Sequence, residues 1–212
     1  MARETALGNA AVERTAGRVL AYAGELVTPF FYSTCGGRTA DPVEAFRAVG
    51  NAPYLRPVSD AHGDGAWCDI SPRYSWSVSW DAAELRSILA RTVPQALGVD
   101  AEAVREVQGV YVRRQGPSGR ALEMRIRVAN GEIPVFGPDV RVVLAPPDGG
   151  ILGSSLVRLT GTEGGGLVAE GRGWGHGVGM CQWGAVGRAR AGQDARTILR
   201  TYFPGADIAR WY

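Results

Sequence analysis

The residues best suited to chemistry lie in one glycine-rich stretch, Gly171-Arg-Gly-Trp-Gly-His-Gly-Val-Gly-Met-Cys-Gln-Trp-Gly-Ala-Val-Gly187. Because glycine has no Cβ, so dense a run favours a shaped loop over an ordinary strand or helix. We predict that the loop brings four side chains to one surface: Arg172, Trp174, His176 and Gln182. Side chains of these types bind sugars, carboxylates or peptides. From Val178 the apolar spacing becomes helical, which places a helix N-terminus with free N–H groups behind the loop.

Two phosphate-binding interpretations of this loop fail. A P-loop needs Gly-Lys-Ser/Thr, and the chain contains no lysine. The dinucleotide spacing G-x-G-x-x-G is also missing, because the sixth position counted from each candidate glycine holds another residue type. A glycine-rich turn that only packs tightly is the simpler alternative.

Length and charge narrow the class of protein. A chain of 212 residues suits one large or two small domains, and a net charge of +2 without a basic stripe or nucleic-acid motif argues against a nucleic-acid partner. No apolar run approaches the roughly 20 residues of a membrane span. The N-terminus lacks the apolar segment of a signal peptide, so the chain is expected to be either cytoplasmic or the later part of a longer exported protein.

The three cysteines, Cys35, Cys68 and Cys181, show no C-x-x-C spacing. Cys35 and Cys68 both lie in segments rich in Gly, Ser and Pro, a composition typical of loops. Such positions allow a disulfide in an oxidising compartment or two free thiols. No cofactor is required. Zinc held by Cys35, Cys68, His62 and His176 is a third alternative, because these are suitable ligand types.

The periodicity of apolar residues predicts an α+β fold with a mixed, β-rich core. Strands are predicted at 19–23, 26–33, 74–80, 104–114, 122–129, 155–159, 167–172 and 207–211, and helices at 9–16, 81–92, 138–144, 178–190 and 194–203. Residues 1–73 are interpreted as the first part of the core and 148–212 as its second part, with the glycine-rich motif and the C-terminal helices. Residues 74–147 are interpreted as a small inserted α+β module, with Trp76 and Trp80 in its core.

Several motifs, in this order and spacing, resemble the SpoIID/LytB family from about residue 11 to residue 211. They are Tyr32-Ser-Thr-Cys-Gly-Gly37, Pro53-Tyr-Leu55, Cys68-Asp-Ile-Ser-Pro72 with Trp76, the glycine-rich block at 171–180, Gln182-Trp-Gly-Ala185 and Ile198-Leu-x-x-Tyr-Phe-Pro-Gly205. The resemblance implies a protein that acts on bacterial peptidoglycan outside the cytoplasmic membrane. One branch of the family is similar to lytic transglycosylases of sporulation, and the other resembles enhancers of a cell-wall amidase.

The side-chain types of this sequence supply most of a groove that could bind a glycan strand. The substrate-binding candidates are Ser33, Thr34, Arg172, Trp174, His176, Gln182 and Trp183. A lytic transglycosylase needs one carboxylic acid with a raised pKa. The family carries that glutamate in a Glu-Met-Pro-like motif upstream of the Ser-Thr-Cys-Gly-Gly strand, and none of Glu4, Glu13 and Glu25 lies in such a motif. The domain is therefore expected to be shortened at its N-terminus, to bind glycan strands, and to cut them poorly or not at all by itself. It would act like a lytic transglycosylase if the missing acid were supplied.

Simpler and competing interpretations stay open. Trp174 is equally well a core residue, His176 a residue that only holds the turn, and Ser33 and Thr34 plain strand residues. In a competing enzyme, Cys181 is the nucleophile and His176 its base. The chain is otherwise an amidase enhancer without catalysis, or a truncated reading frame with exposed apolar surface and no function of its own.

Overall fold

A computed structural model describes residues 4–48 and 52–211 and has the α+β architecture that the sequence predicts. The helices are α1 (Ala6–Thr15), α2 (Ala82–Leu97), α3 (Gly137–Val143), α4 (Gln182–Arg190) and α5 (Ala195–Tyr202). The first strands are β1 (Arg18–Tyr22), β2 (Glu25–Leu26), β3 (Phe31–Tyr32), β4 (Ala61–His62), β5 (Gly65–Ala66) and β6 (Ser75–Trp80). The others are β7 (Val107–Gln115), β8 (Ala121–Val128), β9 (Gly131–Phe136), β10 (Val157–Gly161), β11 (Leu167–Arg172), β12 (Met180–Cys181) and β13 (Asp207–Arg210).

The strands form small sheets rather than one large one. Three sheets have three strands each, in the orders β13-β1-β2, β10-β11-β6 and β7-β8-β9, and β12-β3 and β4-β5 are pairs. β12 runs parallel to β3, with Met180 opposite Phe31, although almost 150 residues of chain separate them. This pair brings the end of the glycine-rich stretch to the Ser33 segment.

Buried side chains form two clusters. The first cluster fills the space between β6, α2, α3 and the sheets β7-β8-β9 and β10-β11-β6, with Trp80, Leu89 and Met124 among its buried members. The second cluster lies around β3, α5 and the start of α4 and includes Tyr32, Phe203 and the three cysteines. Because β6 pairs with β11 across the predicted boundary at 147/148, the two segments share a sheet. The division of the chain into three parts stays a prediction.

Three predicted elements differ from the structure by more than three residues. The helix predicted over 81–92 continues to Leu97 as α2. The strand predicted over 26–33 is two short strands, β2 and β3, because Pro29 between them has no N–H to donate to a sheet. The helix predicted from residue 178 begins at Gln182, since Gly179 has a φ of 77° and the next two residues pair with β3 as β12.

The sequence predicts both tryptophans of β6 in the core, and only one of them is fully buried. Trp80 is 2% exposed, and its indole N–H donates to the carbonyl of Ala145 at 3.0 Å. Trp76 is half-buried, and its N–H donates at 2.8 Å to the carbonyl of Gly173 in the glycine-rich loop. Trp76 therefore connects the first cluster to the loop. Within residues 4–48 and 52–211, no helix has the length and apolar character that a membrane crossing requires.

Candidate functional site

Alternate glycines of the loop face the body of the protein. Four have φ angles between 77° and 116°, the left-handed region that glycine tolerates: Gly173, Gly175, Gly177 and Gly179. A Cβ on Gly175 would lie 2.8 Å from the Cβ of Tyr32, and one on Gly177 would lie 2.7 Å from the guanidinium carbon of Arg120. Only residues without side chains fit at these positions, so the backbone of the loop lies directly against the body of the protein.

Backbone hydrogen bonds join the loop to the segment after β3. The N–H of Trp174 donates to the carbonyl of Thr34 at 2.7 Å, and the N–H of Thr34 donates back at 3.0 Å. On the other side, the N–H of Trp183 donates to the carbonyl of Ser33 at 3.0 Å. The structure thus brings together candidate residues from both motif-bearing ends of the chain.

The two hydroxyl candidates lie in different surroundings. Thr34 is fully buried, and its Oγ1 is 2.7 Å from Oγ of Ser71 and 3.2 Å from Oγ of Ser33. Ser33 is half-buried. Ser33 therefore reaches solvent, whereas Thr34 supports it from below.

An exposed ridge of aromatic and cationic side chains runs beside the loop. Trp174 is half-buried, and the guanidinium carbon of Arg73 lies 4.6 Å from the centre of its ring, a cation–π contact. Arg172 is exposed and hydrogen-bonds to the hydroxyl of Tyr74, whose pKa is raised by burial and lowered in part by that arginine. Arg73 and Tyr74 are not among the residues that the sequence predicts for the site. Their only signal in the sequence is their position directly before β6.

A groove of about 660 Å³ continues the ridge along the β10-β11-β6 sheet. Its lining includes Trp76, Gln115, Leu156, Arg158, Glu170 and Arg172. Arg158 and Glu170 form an exposed ion pair of 2.6 Å at one side. Gly171 lies opposite Trp76 in the sheet, and a Cβ there would overlap the indole ring. The glycine therefore leaves room for an aromatic surface in the groove.

His176 is half-buried and holds the turn of the loop. Its Nδ1 accepts the N–H of Val178 at 3.1 Å, and its Nε2 lies 3.1 Å from the carbonyl of Phe31. An imidazole that accepts at Nδ1 must be neutral and donate from Nε2, which fixes the tautomer. The ring also packs against Tyr32 and Phe46, with centroids 5.1 Å and 5.2 Å away.

The pKa of His176 is lowered, mainly because burial disfavours the imidazolium. The hydrogen bond to Phe31 opposes this change, while the nearby cations Arg141 and Arg120 reinforce it. A neutral His176 is thus the form that the loop requires.

The other two candidates lie at the start of α4. Gln182 is exposed, and Trp183 is half-buried, packed against the second cluster. Their backbone follows Cys181, whose sulfur accepts the N–H of Gly184 at 3.2 Å as the helix cap. The helix N-terminus therefore does lie behind the loop, four residues later than the periodicity indicated.

All three cysteines are free and buried in one place. The sulfurs of Cys35 and Cys68 are 3.3 Å apart, and Asp60 Oδ2 lies 3.3 Å from the sulfur of Cys35. The structure does not assemble the zinc ligand set that pairs these thiols with His62 and His176. His62 is exposed and stacks on Trp67, with ring centroids 3.6 Å apart, while both nitrogens of His176 bond to the backbone.

The buried cysteines also argue against a cysteine nucleophile. The sulfur of Cys181 is fully buried and accepts the N–H of Cys35 at 3.1 Å. Burial raises the pKa of this thiol well above its usual value. A nucleophilic cysteine needs an accessible thiolate. The burial of this sulfur therefore argues against Cys181 as a nucleophile activated by His176.

Fold and site together define an α+β domain in which a glycine-rich loop holds aromatic and arginine side chains beside a groove. The chain belongs to the family described as Domain of unknown function (DUF8618), whose model matches residues 64–179, more than half of the chain.

Known proteins are similar to this chain over nearly its whole length. An uncharacterized protein of Brachyspira hyodysenteriae is 30% identical over 198 residues, 93% of this chain and 47% of that protein. The Amidase enhancer of Bacillus subtilis is 25% identical over 232 residues, covering 96% of this chain and 32% of the relative. Stage II sporulation protein D of Bacillus subtilis is 29% identical over 199 residues, 94% of this chain and 50% of the relative. The chain thus spans about a third to a half of the length of these relatives. The matches to the Amidase enhancer and to Stage II sporulation protein D suggest the SpoIID/LytB family.

Proposed function

We propose that this chain is a peptidoglycan-directed domain of the SpoIID/LytB type that binds cell-wall glycan strands outside the cytoplasmic membrane. The observation that carries the proposal is the half-buried indole of Trp174, presented by the glycine loop with Arg73 at 4.6 Å and the groove of Trp76 beside it. The similarity to proteins named Amidase enhancer and Stage II sporulation protein D supports the same role.

The chemistry of the ridge fits a glycan. Indole faces stack on the apolar faces of sugar rings, and Trp174 and Trp76 offer two such faces. Arg172 and Arg73 supply the cationic forks that suit the lactyl carboxylate of muramic acid. Ser33 and Gln182 add hydroxyl and amide groups for sugar hydroxyls and N-acetyl groups, and the half-buried Trp183 follows Gln182 in the chain.

Three acids in or near this site do not suit the role of a glycosidic acid. Glu170 lines the groove, but its exposed carboxylate is ion-paired with Arg158 at 2.6 Å. Asp60 is fully buried and hydrogen-bonds to Tyr202 at 2.6 Å and to Arg188 at 3.2 Å. Glu44 is fully buried as well and accepts from the hydroxyl of Ser118 at 2.8 Å. A general acid must reach the glycosidic oxygen. We therefore propose that the described part of the chain binds glycan strands but does not cleave them by itself, in contrast to a lytic transglycosylase.

Incubation with glycan strands stripped of their peptides tests this proposal. The chain is expected to co-sediment with the strands and to release no anhydro-muropeptides detectable by mass spectrometry. Failure to co-sediment would contradict glycan binding. Abundant anhydro products would contradict the proposed lack of an acid and would identify the chain as a lytic transglycosylase.

A second candidate function is enhancement of an N-acetylmuramoyl-L-alanine amidase. It is favoured by the match to the Amidase enhancer, which covers 96% of this chain. An amidase assay on intact peptidoglycan, with and without the chain, separates the two functions. A several-fold stimulation that persists in a variant unable to bind glycan would favour a protein partner over the glycan strand.

A further inference from the structure

Four ligating side chains from three distant segments meet in the second cluster. Cys35 follows β3, Asp60 and Cys68 flank the β4-β5 hairpin, and Cys181 precedes α4. Their sulfur and carboxylate atoms all lie within 4.8 Å of one another, and all four residues are buried. Among residues 4–48 and 52–211, this is the group of at least three cysteine, histidine or acidic side chains whose ligand atoms lie close enough together to hold a metal ion.

Backbone N–H groups point at all three sulfurs. The sulfur of Cys181 accepts from Cys35 at 3.1 Å and from Gly184 at 3.2 Å. The sulfur of Cys35 accepts from Gly37 at 3.4 Å, and Gly36 and Gly37 also direct their N–H groups to Cys68. Gly36 and Gly37 both have positive φ, of 76° and 108°, and their N–H groups are directed at the sulfurs of this group. Such donors stabilise thiolates, the form in which cysteine binds a metal.

The carboxylate of Asp60 is oriented from behind. Its Oδ1 accepts from the hydroxyl of Tyr202 at 2.6 Å and from the guanidinium of Arg188 at 3.2 Å, whereas Oδ2 faces the sulfurs. Outer partners of this kind hold a ligating carboxylate in one orientation. Arg188 also places one positive charge beside a group that would carry three thiolates and a carboxylate.

We propose that Cys35, Asp60, Cys68 and Cys181 form a closed, tetrahedral site for one Zn²⁺ ion. Three thiolates and one carboxylate are ligands that Zn²⁺ accepts, and sulfur-rich tetrahedral sites favour it over harder cations. With Zn–S bonds of about 2.3 Å, sulfurs at the corners of a tetrahedron lie about 3.8 Å apart. The sulfurs of Cys35 and Cys68, now 3.3 Å apart, would have to separate by only about half an ångström. Binding displaces the thiol protons, which pass to solvent.

The site would be structural rather than catalytic, because all four positions are supplied by buried side chains and none is open to substrate. The ion would fasten the end of β3, the β4-β5 hairpin and the start of α4 to one point. These segments carry Ser33 and Trp183 and adjoin the glycine loop. Zinc would therefore fix the shape of the proposed glycan site without contacting the glycan.

Metal titration of the purified, reduced chain tests the proposal. After removal of metal with a chelator, Zn²⁺ is added in competition with a chromophoric chelator, and Co²⁺ is bound in a parallel sample. We expect one equivalent of zinc, a thiolate-to-cobalt charge-transfer band, and the intense visible absorption of tetrahedral Co²⁺. With free zinc about a thousandfold above Kd, the Tm is expected to rise by roughly 10 °C. The cobalt spectrum reports on the parent chain, so the test does not depend on the folding of a variant.

Matched variants identify the ligands. C35S, C68S and C181S are each expected to lower the zinc affinity more than a hundredfold, and D60N roughly tenfold or more. D64N, in the exposed turn of the β4-β5 hairpin, is the control and should bind zinc as the parent does. The proposal is overturned by the absence of stoichiometric zinc binding, by a Cys35–Cys68 disulfide in chain purified without reductant, or by loss of zinc in H62A instead of D60N.

Discussion

Each glycine of the loop is needed for a specific steric reason. Gly177 combines a φ of 91° with a Cβ position 2.7 Å from the guanidinium of Arg120. Gly192 has a similar φ of 87°, but nothing lies within 4 Å of its Cβ position. A side chain at Gly192 would therefore meet backbone strain alone, whereas a side chain at Gly177 would meet both backbone strain and steric overlap.

Replacement of these glycines by alanine tests this distinction. G192A is expected to lower the free energy of unfolding by about 1 kcal/mol, the cost of a left-handed backbone at a residue with a side chain. G177A should cost about 3 kcal/mol, because Arg120 must move as well. Urea unfolding measures both values. Equal losses would contradict the tight packing of the loop on Arg120.

His176 makes stability depend on pH. Its pKa is lowered in the folded chain, chiefly by burial, while Arg141 and Arg120 disfavour the imidazolium further and the bond to Phe31 opposes them. The unfolded chain therefore binds more protons between the folded pKa and the ordinary value of about 6.5. The contribution to stability is fully present above that ordinary value and is lost as the pH falls through this interval.

We therefore expect the free energy of unfolding to fall between pH 7.5 and pH 5.5, with a contribution from His176 of at most about 1.4 kcal/mol per pH unit. In H176Q, this part of the slope should disappear, because glutamine does not titrate there. Urea unfolding at several pH values measures it. A slope in H176Q equal to that of the parent would show that the imidazole is not held neutral.

Elements with local signals could be predicted from sequence, whereas those that depend on distant partners could not. Asp81-Ala-Ala-Glu84 predicts the start of α2, and the structure has the complete capping box there. The sequence does not predict β9, because Pro134 interrupts its strand pattern. The proline is tolerated there because β9 is the edge strand of its sheet. The start of α4 was misplaced because β12 exists only through its pairing with β3.

The capping box offers a test at this scale. In D81A, the N–H groups of Ala83 and Glu84 lose the carboxylate oxygen that accepts from them at 2.7 Å and 2.8 Å. The free energy of unfolding is expected to fall by about 1 kcal/mol. D148A, at an exposed acid outside the helices, is the control and should change it by less than about 0.5 kcal/mol. Equal effects of the two substitutions would contradict the claim that the Asp81 side chain stabilises the N-terminus of α2.

The candidate site was predicted in part for the same reason. Ser33, Trp174 and Trp183 belong to recognisable motifs, and the structure joins them through backbone hydrogen bonds. Arg73 gives no such signal, because its role depends on a ring about a hundred residues further along the chain. Asp60 gives no such signal either, because its partner Tyr202 is 142 residues away. Contacts at this separation are set by the fold and not by local spacing.

At the scale of the whole molecule, Arg120 connects the two clusters. It follows the turn between β7 and β8, is fully buried, and donates to the carbonyls of Cys35 at 2.8 Å and Arg38 at 3.1 Å. Its guanidinium also lies under Gly177. One side chain from the turn between β7 and β8 thus contacts both the segment after Ser33 and the glycine loop.

Removal of this side chain should loosen the whole site. R120A is expected to lower the free energy of unfolding by about 3 kcal/mol, since two buried carbonyls lose a charged donor and a cavity forms. R86A, at an exposed arginine of α2, should change it by less than about 0.5 kcal/mol. Urea unfolding compares the two variants. A loss in R120A as small as that in R86A would show that the clusters do not depend on this arginine.

The central claim, that the ridge around Trp174 binds glycan, is tested most directly by the affinity for glycan strands stripped of their peptides. Isothermal titration calorimetry compares the parent chain with W174A and with W211A, a matched variant at an exposed tryptophan just beyond β13. W174A is expected to bind at least tenfold more weakly, a loss of about 1.4 kcal/mol or more, and W211A to bind as the parent does. Equal affinities of W174A and the parent, or no binding by the parent, would contradict the account.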